Sequence, residues 1–347
     1  MLIIGNDFHS RYQVIAMLDR ESGEVERRRL EHTNGEVRTF YASLPKPALV
    51  GIESTSYTLW FAELMNELGH ELVTGDAAKI RASETRKQKY DGRDAMHMME
   101  LLAEGKFPRI WLPGAEDRDV RVLLHHRHFL VAMRTRAKNG LQALAMNRNL
   151  CLGAKLWTVA GQQAFQALDL REAPARRRQD LLQLRGQLDG WIQELDERLK
   201  EEVEKRPEAK RLQTHPGVGP LTALATVVVL GPVERFPHGR KVASYLGLIP
   251  SEHSSGGRQH FGHLTKQGNR LLRFLLIEAA TSACRCDPEL KQDYKRLAFR
   301  HGWAKARVAV GRKLAIRLYI MLRDQIDYTE FVRRGSHAGM PGKVALV

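Results

Sequence analysis

Cysteine is scarce in this chain: its 347 residues include three, Cys151, Cys284 and Cys286. Three thiols form no even disulfide framework, and the Cys-x-Cys pair lacks the second pair that a zinc site needs. Long apolar runs are missing too. Even Val308 to Leu322 is interrupted by Arg312, Lys313 and Arg317, which excludes a spanning helix of about 20 apolar residues. Met1 leads directly into a strand pattern with no basic leader segment. The expectation is a reduced, soluble, intracellular protein that is neither exported nor membrane-bound.

Acidic residues are in deficit, and the deficit is local. The chain carries a net charge of +15. Divided by position it is −2 over residues 1–112, +4 over 113–210 and +13 over 211–347. A basic block joined to a slightly acidic one is the electrostatic footprint of a nucleic-acid binder whose phosphate grip and chemistry lie in different domains. A basic surface that serves only solubility is the plain alternative.

What is present begins with Leu2 to His9, an apolar run that ends in a carboxylate, Asp7. Burying an unpaired carboxylate costs several kcal/mol, so such an acid meets a cation or a hydrogen-bond network. Short strands over Gln13–Leu18 and Glu24–Glu31 follow, then helical character over 34–44. Ala48–Glu53 is a second apolar strand that ends in an acid, Glu53. A helix is expected over Ser54–Leu68 and a strand over Glu71–Thr74, so that βββαβαβ predicts a mixed sheet. Lys87 to His97 opens another helix, which runs to about Glu104 and carries Asp91 and Asp94 one turn apart on one face. Capping and the helix dipole also favour Asp there. Taken together, two strand ends and one helix start that each deliver acids are what a two-metal phosphodiester site requires, with hard oxygen ligands around Mg²⁺. Asp76 and its neighbour Lys79 read as a solvated turn, while His9 and His97 flank the carboxylates.

Residues 113–210 read as helices. A long one spans Asp117 to about Asn149, with Arg121, Arg127, Arg134, Arg136, Lys138 and Arg148 on its polar face, placed to track phosphates or to meet water. Pro174 and Arg176–Arg178 mark a break. Leu181, Leu184, Leu188, Trp191 and Leu195 then step as a coiled-coil seam, compatible with an antiparallel arm or with dimerisation.

From 211 onward, Pro216-Gly217-Val218-Gly219-Pro220 leads into an apolar helix, the hairpin of a helix-hairpin-helix element whose free N–H groups bind phosphate. A glycine turn between two core helices is the alternative. Ser251–Gly262 reads as a loop on composition. Arg258, His260, Lys266, Arg270 and Arg273 surround it as donors for a phosphate held against a serine hydroxyl. Helices are expected over Leu271–Cys284, Asp287 to about Phe299 and Ala304–Arg323, with basic residues of the last two facing nucleic acid, and a flexible tail over 336–347.

Asp7, Glu53, Asp91 and Asp94, in that order on this strand pattern, resemble the DEDD form of the RNase H-like (RuvC-type) nuclease fold. With the coiled-coil middle, the Pro-Gly-Val-Gly hairpin, Ala243–Pro250, Ser255-Gly256, Gly262-His263, Lys266-x-Gly268-Asn269 and Leu271-Leu272-Arg273, nearly the whole chain is similar to the DEDD insertion-sequence transposases, the bridge-RNA-guided recombinases. The resemblance implies an α/β plus α protein: a RuvC-like domain over 1–112, a coiled-coil arm over 113–210 and a mostly helical transposase domain over 211–335. It implies Mg²⁺ on Asp7, Glu53, Asp91 and Asp94, and a 5′-phosphoserine link on Ser255, with Ser254 as the neighbouring candidate. Gly217, Val218, Gly219, Arg258, Lys266, Arg270 and Arg273 are expected on nucleic acid. The implied partners are donor and target DNA, a guide (bridge) RNA and further copies of the chain, a dimer assembling to a tetramer, in the bacterial cytoplasm at the nucleoid. A metal-dependent junction nuclease that needs no serine, and a scaffold whose acids only cap and pair, are the rival readings.

The charge asymmetry generates a measurable expectation. Affinity of the protein for DNA should fall linearly in log K against log [salt], with a slope of about −0.9 for each phosphate neutralised. A flat salt response in a filter-binding or anisotropy titration would reduce the basic segment to a solubility device.

Overall fold

Strand propensity and helix propensity alternate along the first 112 residues, and the computed structural model, which describes residues 1–84, 91–256 and 258–334, resolves them into one mixed sheet. Lys87–Tyr90 of the expected helix opening, Gly257 of the serine loop and the expected tail 336–347 lie outside the described residues. The strands are β1 (Leu2–Phe8), β2 (Tyr12–Asp19), β3 (Val25–Glu31), β4 (Leu49–Glu53) and β5 (Glu71–Gly75), in the order β3-β2-β1-β4-β5. The β1–β2 and β2–β3 pairs are antiparallel hairpin neighbours, whereas β4 and β5 run parallel to β1 through crossover helices.

Period-two alternation sorts the side chains of β1 and β4 between two layers. Ile4, Phe8, Val50 and Ile52 pack with α1 (Glu36–Ser43) and α2 (Leu59–Leu68) on one face. Ile3 packs on the other face with Val73 of β5, with Ile80 of α3 (Ala77–Ser83) and with Met98, Met99 and Leu102 of α4 (Asp91–Ala103). Helix α2 starts later than the sequence pattern suggests. Ser54 N–H donates to Gly75 O, extending the strand connection, and Thr58 takes the N-cap position. Asp76 caps α3 by accepting from Ala78 N and Lys79 N at 3.0 and 3.2 Å.

The chain divides after Leu112 into two compact units. In the second, α5 (Ala115–Met146) and α7 (Glu172–Glu204) form an antiparallel hairpin within one chain. The short segments between them include α6 (Val159–Gln166). Pro174, expected at a break, sits in the first turn of α7, where its missing N–H leaves no bond unmade. The seam itself differs: Leu188, Ile192 and Leu195 are buried with Leu130, and Trp191 is 48% exposed. The arginines of α5 differ as well. Arg127 pairs with Asp196, Arg134 with Asp189, and Arg121 donates to Val228 O, so these three fasten helices together.

The base of this hairpin merges with the C-terminal segment. Val120, Leu124, Leu199 and Val203 share one core with α8 (Pro207–Gln213), α9 (Pro220–Leu230), α10 (Gly239–Tyr245), α11 (Arg270–Cys286), α13 (Trp303–Arg323) and the interposed α12 (Pro288–His301) and α14 (Tyr328–Arg334). Asp287 is the polar pin of this region. It caps α12 through Leu290 N and accepts from Arg317 and Tyr328. No helix among the described residues is long and apolar enough to cross a membrane.

Ser251–Gly262 departs from the expected plain loop. Residues Pro250–Glu252 (β6) and Phe261–Leu264 (β7) pair antiparallel, and His253 N–H donates to His260 O. The serines therefore occupy a hairpin tip.

Beside Asp287, His215 is buried with its Nδ1–H on Pro216 O at 2.9 Å and its ring against Tyr328. Burial pushes its pKa down from 6.5 to about 4, with a smaller push from Arg317. The folded state thus prefers the neutral ring. The unfolded chain takes up the proton first as pH falls, so this contribution is complete above about pH 6.5 and is lost progressively down to about pH 4. The loss amounts to about 3 kcal/mol. Urea midpoints measured from pH 7 to pH 5 should fall, and His215→Gln should flatten that part of the profile.

Candidate functional site

Two glycines decide where the acids of the first unit meet. Gly5 and Gly51 are register partners on the parallel β1–β4 pair. A Cβ on Gly5 would lie 2.2 Å from Ala95 O and 2.3 Å from Met99 N, both on the backbone of α4. One on Gly51 would lie 2.6 Å from Leu102 Cδ1. Helix α4 therefore rests on the sheet backbone itself. Two residues beyond each glycine, on the same face and at the same end of the sheet, stand Asp7 and Glu53. The first turn of α4 brings Asp91 and Asp94.

The structure brings Asp7 and Asp91 together through His9. His9 Nε2 lies 3.1 Å from Asp7 Oδ2 and 3.4 Å from Asp91 Oδ2. Tyr12 Oη donates to Asp91 Oδ2 at 3.0 Å, and the Arg29 guanidinium sits 3.8 Å above the Tyr12 ring. Burial raises the Asp7 pKa, the His9 ring opposes that shift, and the Asp94 and Asp91 carboxylates add to it. Glu53 and Asp94 line a shared pocket with Arg81, Glu84 and His97. Arg81 reaches Glu53 Oε1 at 3.7 Å.

Ligand atoms of Asp7, His9 and Asp91 all lie within 4.8 Å of one another. Two carboxylates and an imidazole so placed fit a divalent cation. The raised Asp7 pKa expresses the same need, because a cation would relieve both the desolvation and the mutual repulsion of the acids. His9 flanks the acids in sequence as only one of two such histidines, and structure alone selects it. Tyr12, Arg81 and Glu84 give no sequence signal of their own. The glycines do: Gly-x-Asp in β1 and Gly-x-Glu in β4 repeat one pattern.

In the second unit, Ser255 is exposed at the tip of the β6–β7 hairpin, where Arg258 N–H closes a turn on Ser255 O at 3.1 Å. The Ser254 hydroxyl is already engaged, donating to Glu252 Oε1 at 2.7 Å and accepting from His260 N. Among the described residues the Ser255 hydroxyl has no such bond. Arg258, Lys266 and Arg270 are exposed around the hairpin and the start of α11.

Arg273, expected on nucleic acid, donates instead to Leu246 O and Gln267 O at 2.9 and 2.6 Å. It ties the segment between β7 and α11 to the C-cap of α10. Gly217, at φ 81°, faces the backbone of α11, where a Cβ would lie 2.4 Å from Ala283 N. Packing accounts for this glycine without nucleic acid. Val218 is buried, so it could present only its backbone. Gly219, the N-cap of α9, borders open space.

Comparison with known proteins agrees with both halves. Residues 4–147 match the DEDD-type IS110 family model described as "Transposase", and residues 209–295 match the "Transposase IS116/IS110/IS902 family". The chain is 30% identical over 252 residues to the "Transposase for insertion sequence element IS1111A" of Coxiella burnetii, covering 70% of this chain and 69% of that protein. It is 29% identical over 288 residues to a "Probable family 20 transposase" of Pseudomonas aeruginosa, covering 82% and 84%. With the "Transposase for insertion sequence element IS1328" of Yersinia enterocolitica it shares 27% identity over 282 residues, covering 79% and 80%.

The contact of α4 with β1 is open to a direct test. Gly5→Ala forces a methyl group into the α4 backbone, which cannot yield as a side-chain tip can. A loss of about 1–3 kcal/mol is expected, together with weakened Mn²⁺ binding by calorimetry as Asp91 moves from Asp7. Unchanged stability and unchanged metal affinity would show that the helix does not rest there.

Proposed function

Because the chain belongs to the IS116/IS110/IS902 family of DEDD insertion-sequence transposases, we propose that it cleaves and exchanges DNA strands through a covalent 5′-phosphoserine intermediate. The observation that carries this reading is the convergence of Asp7, His9 and Asp91 at one end of a mixed sheet, with Glu53 and Asp94 alongside. The strand order supports a RuvC-type, RNase H-like fold for this unit. The four acids, with His9, would hold Mg²⁺, which when bound supplies positive charge to the scissile phosphate.

Ser255 supplies the nucleophile in this reading. Its Oγ forms a bond to phosphorus as the bond from phosphorus to the 3′ oxygen breaks, and the hydroxyl proton passes to that leaving oxygen. A second 3′ hydroxyl reverses the step and frees the serine, so the phosphodiester is rejoined without an external energy source. Exposure at the hairpin tip suits Ser255, whereas Ser254 is held by Glu252 and His260 N. A serine hydroxyl is a weak nucleophile near neutral pH unless it is activated. Glu252, the acid of the hairpin, is turned to Ser254, so activation is assigned to the carboxylate and metal set in the complex assembled on DNA. Exposed Arg258, Lys266 and Arg270 grip the strand by charge.

Guidance by an element-encoded RNA, and assembly of a dimer into a tetramer, complete the reading. Both rest on the similarity of the serine-loop motifs to bridge-RNA-guided recombinases.

Denaturing gels of purified protein with its RNA and labelled DNA provide the test. A protein–DNA adduct is expected for the wild type and for Ser254→Ala. Ser255→Ala should lose the adduct yet keep DNA binding, and Asp7→Ala should lose the adduct as well. An adduct with Ser255→Ala but not with Ser254→Ala moves the nucleophile by one residue. Normal recombination by both serine variants would leave the four-carboxylate, water-using nuclease as the better account.

A further inference from the structure

The corner between α12 and α13 exposes two large aromatic rings to solvent. Phe299 is 94% exposed and Trp303 67% exposed, on either side of the Gly302 turn, whose φ is 82°. Aromatic side chains each bury about 150–250 Å² when packed, and two large rings exposed within one helix corner mark an interaction site. Trp303 is held in place, because its ring packs on Tyr294 at 5.7 Å.

The surroundings select the partner. Lys295, Arg300 and Lys305 are exposed beside the rings, and among the described residues none of the three is paired with an acid. The two acids of α12 are turned elsewhere: Glu289 to Arg317, and Asp293 to Lys313 and Arg296. Helix α13 contains no acid at all. Cations interleaved with free aromatic faces are the chemistry of single-strand binding, where phosphates meet the charges and unpaired bases stack on the rings. Duplex DNA offers no base face to such rings. A second copy of the same patch would bring like charges together across a two-fold axis.

We propose that the α12–α13 corner is a stacking site for a single-stranded DNA segment, with Phe299 and Trp303 as base platforms and Lys295, Arg300 and Lys305 on the phosphates. Phe299, Arg300, Trp303 and Lys305 lie past residue 295, where the match to the C-terminal family model ends. It extends the strand-exchange reading above, since an exchanged strand is unpaired in transit.

Binding is measured by anisotropy with labelled oligo-dT, oligo-rU and duplex DNA, using full-length protein carrying Asp7→Ala so that cleavage plays no part. Failure of the serine mechanism therefore leaves the measurement intact. Phe299→Ala with Trp303→Ala should weaken oligo-dT binding by about tenfold or more, with duplex affinity unchanged. Lys295→Gln, Arg300→Gln and Lys305→Gln together should reduce the salt slope for oligo-dT by about 2. Photocrosslinking to a bromodeoxyuridine strand should map to Trp303. The proposal is overturned if the aromatic variant binds oligo-dT normally, or if aromatic-dependent binding is tighter for oligo-rU than for oligo-dT. A change in oligomeric state by light scattering on losing the rings, with oligo-dT binding retained, would also overturn it and make the corner a protein interface.

Discussion

Backbone-to-backbone contact between α4 and β1 at Gly5, with the Leu102 side chain seated on Gly51 of β4, is the constraint from which the first unit's chemistry follows. With Gly5 and Gly51 in register, the helix comes closer to the sheet than any side chain would allow. Strand alternation then places Asp7 and Glu53 on that same face two residues later. Held this close, Asp7 loses hydration and is repelled by Asp94 and Asp91 of α4, which raises its pKa. The imidazole of His9 offsets part of that stress in the protein alone, and a bound cation would offset far more. Such a site favours cation binding because the fold has already brought its acids together.

The second unit separates scaffold from chemistry. Its long hairpin is fastened by arginine clips to Asp189 and Asp196, and its base enters the same core as the C-terminal helices. Around Asp287, charged and hydrogen-bonded groups satisfy one another inside that core, which is how buried charge is tolerated. The reactive candidates stand outside it. Ser255 projects on a two-stranded hairpin, and Phe299 and Trp303 flank a helix turn.

Particular residues show where sequence reasoning reached and where it stopped. Asp7 and Glu53 stood out because an acid closing an apolar strand is conspicuous, and the structure places both at the same sheet end. Gly217 stood out in the Pro-Gly-Val-Gly hairpin and Arg273 among the donors around the serine loop, and the structure adds a packing role to each: one admits a helix and the other ties backbone carbonyls. Trp191 fitted the heptad spacing, but the antiparallel hairpin, which also packs on α9, buries Ile192 instead. The loop over Ser251–Gly262 was legible as polar and glycine-rich. Its ladder was not, because the pairing of Glu252 with Phe261 is a matter of register.

The sequence by itself determined the five strands of the first unit and its helices other than α3, the acid-ended strands, the helical character of the middle segment, and the basic C-terminal half. These are local properties: period two, period 3.6, turn chemistry and counted charge. Only the tertiary structure decided that His9 and Tyr12 converge on Asp91, that the Ser254 hydroxyl is engaged while that of Ser255, among the described residues, is not, and that Arg127 and Arg134 of α5 pair internally. Those outcomes join groups as far as 82 residues apart, as His9 and Asp91 are. Contacts across that separation are set by how layers stack and how closely backbones approach, which no local pattern encodes.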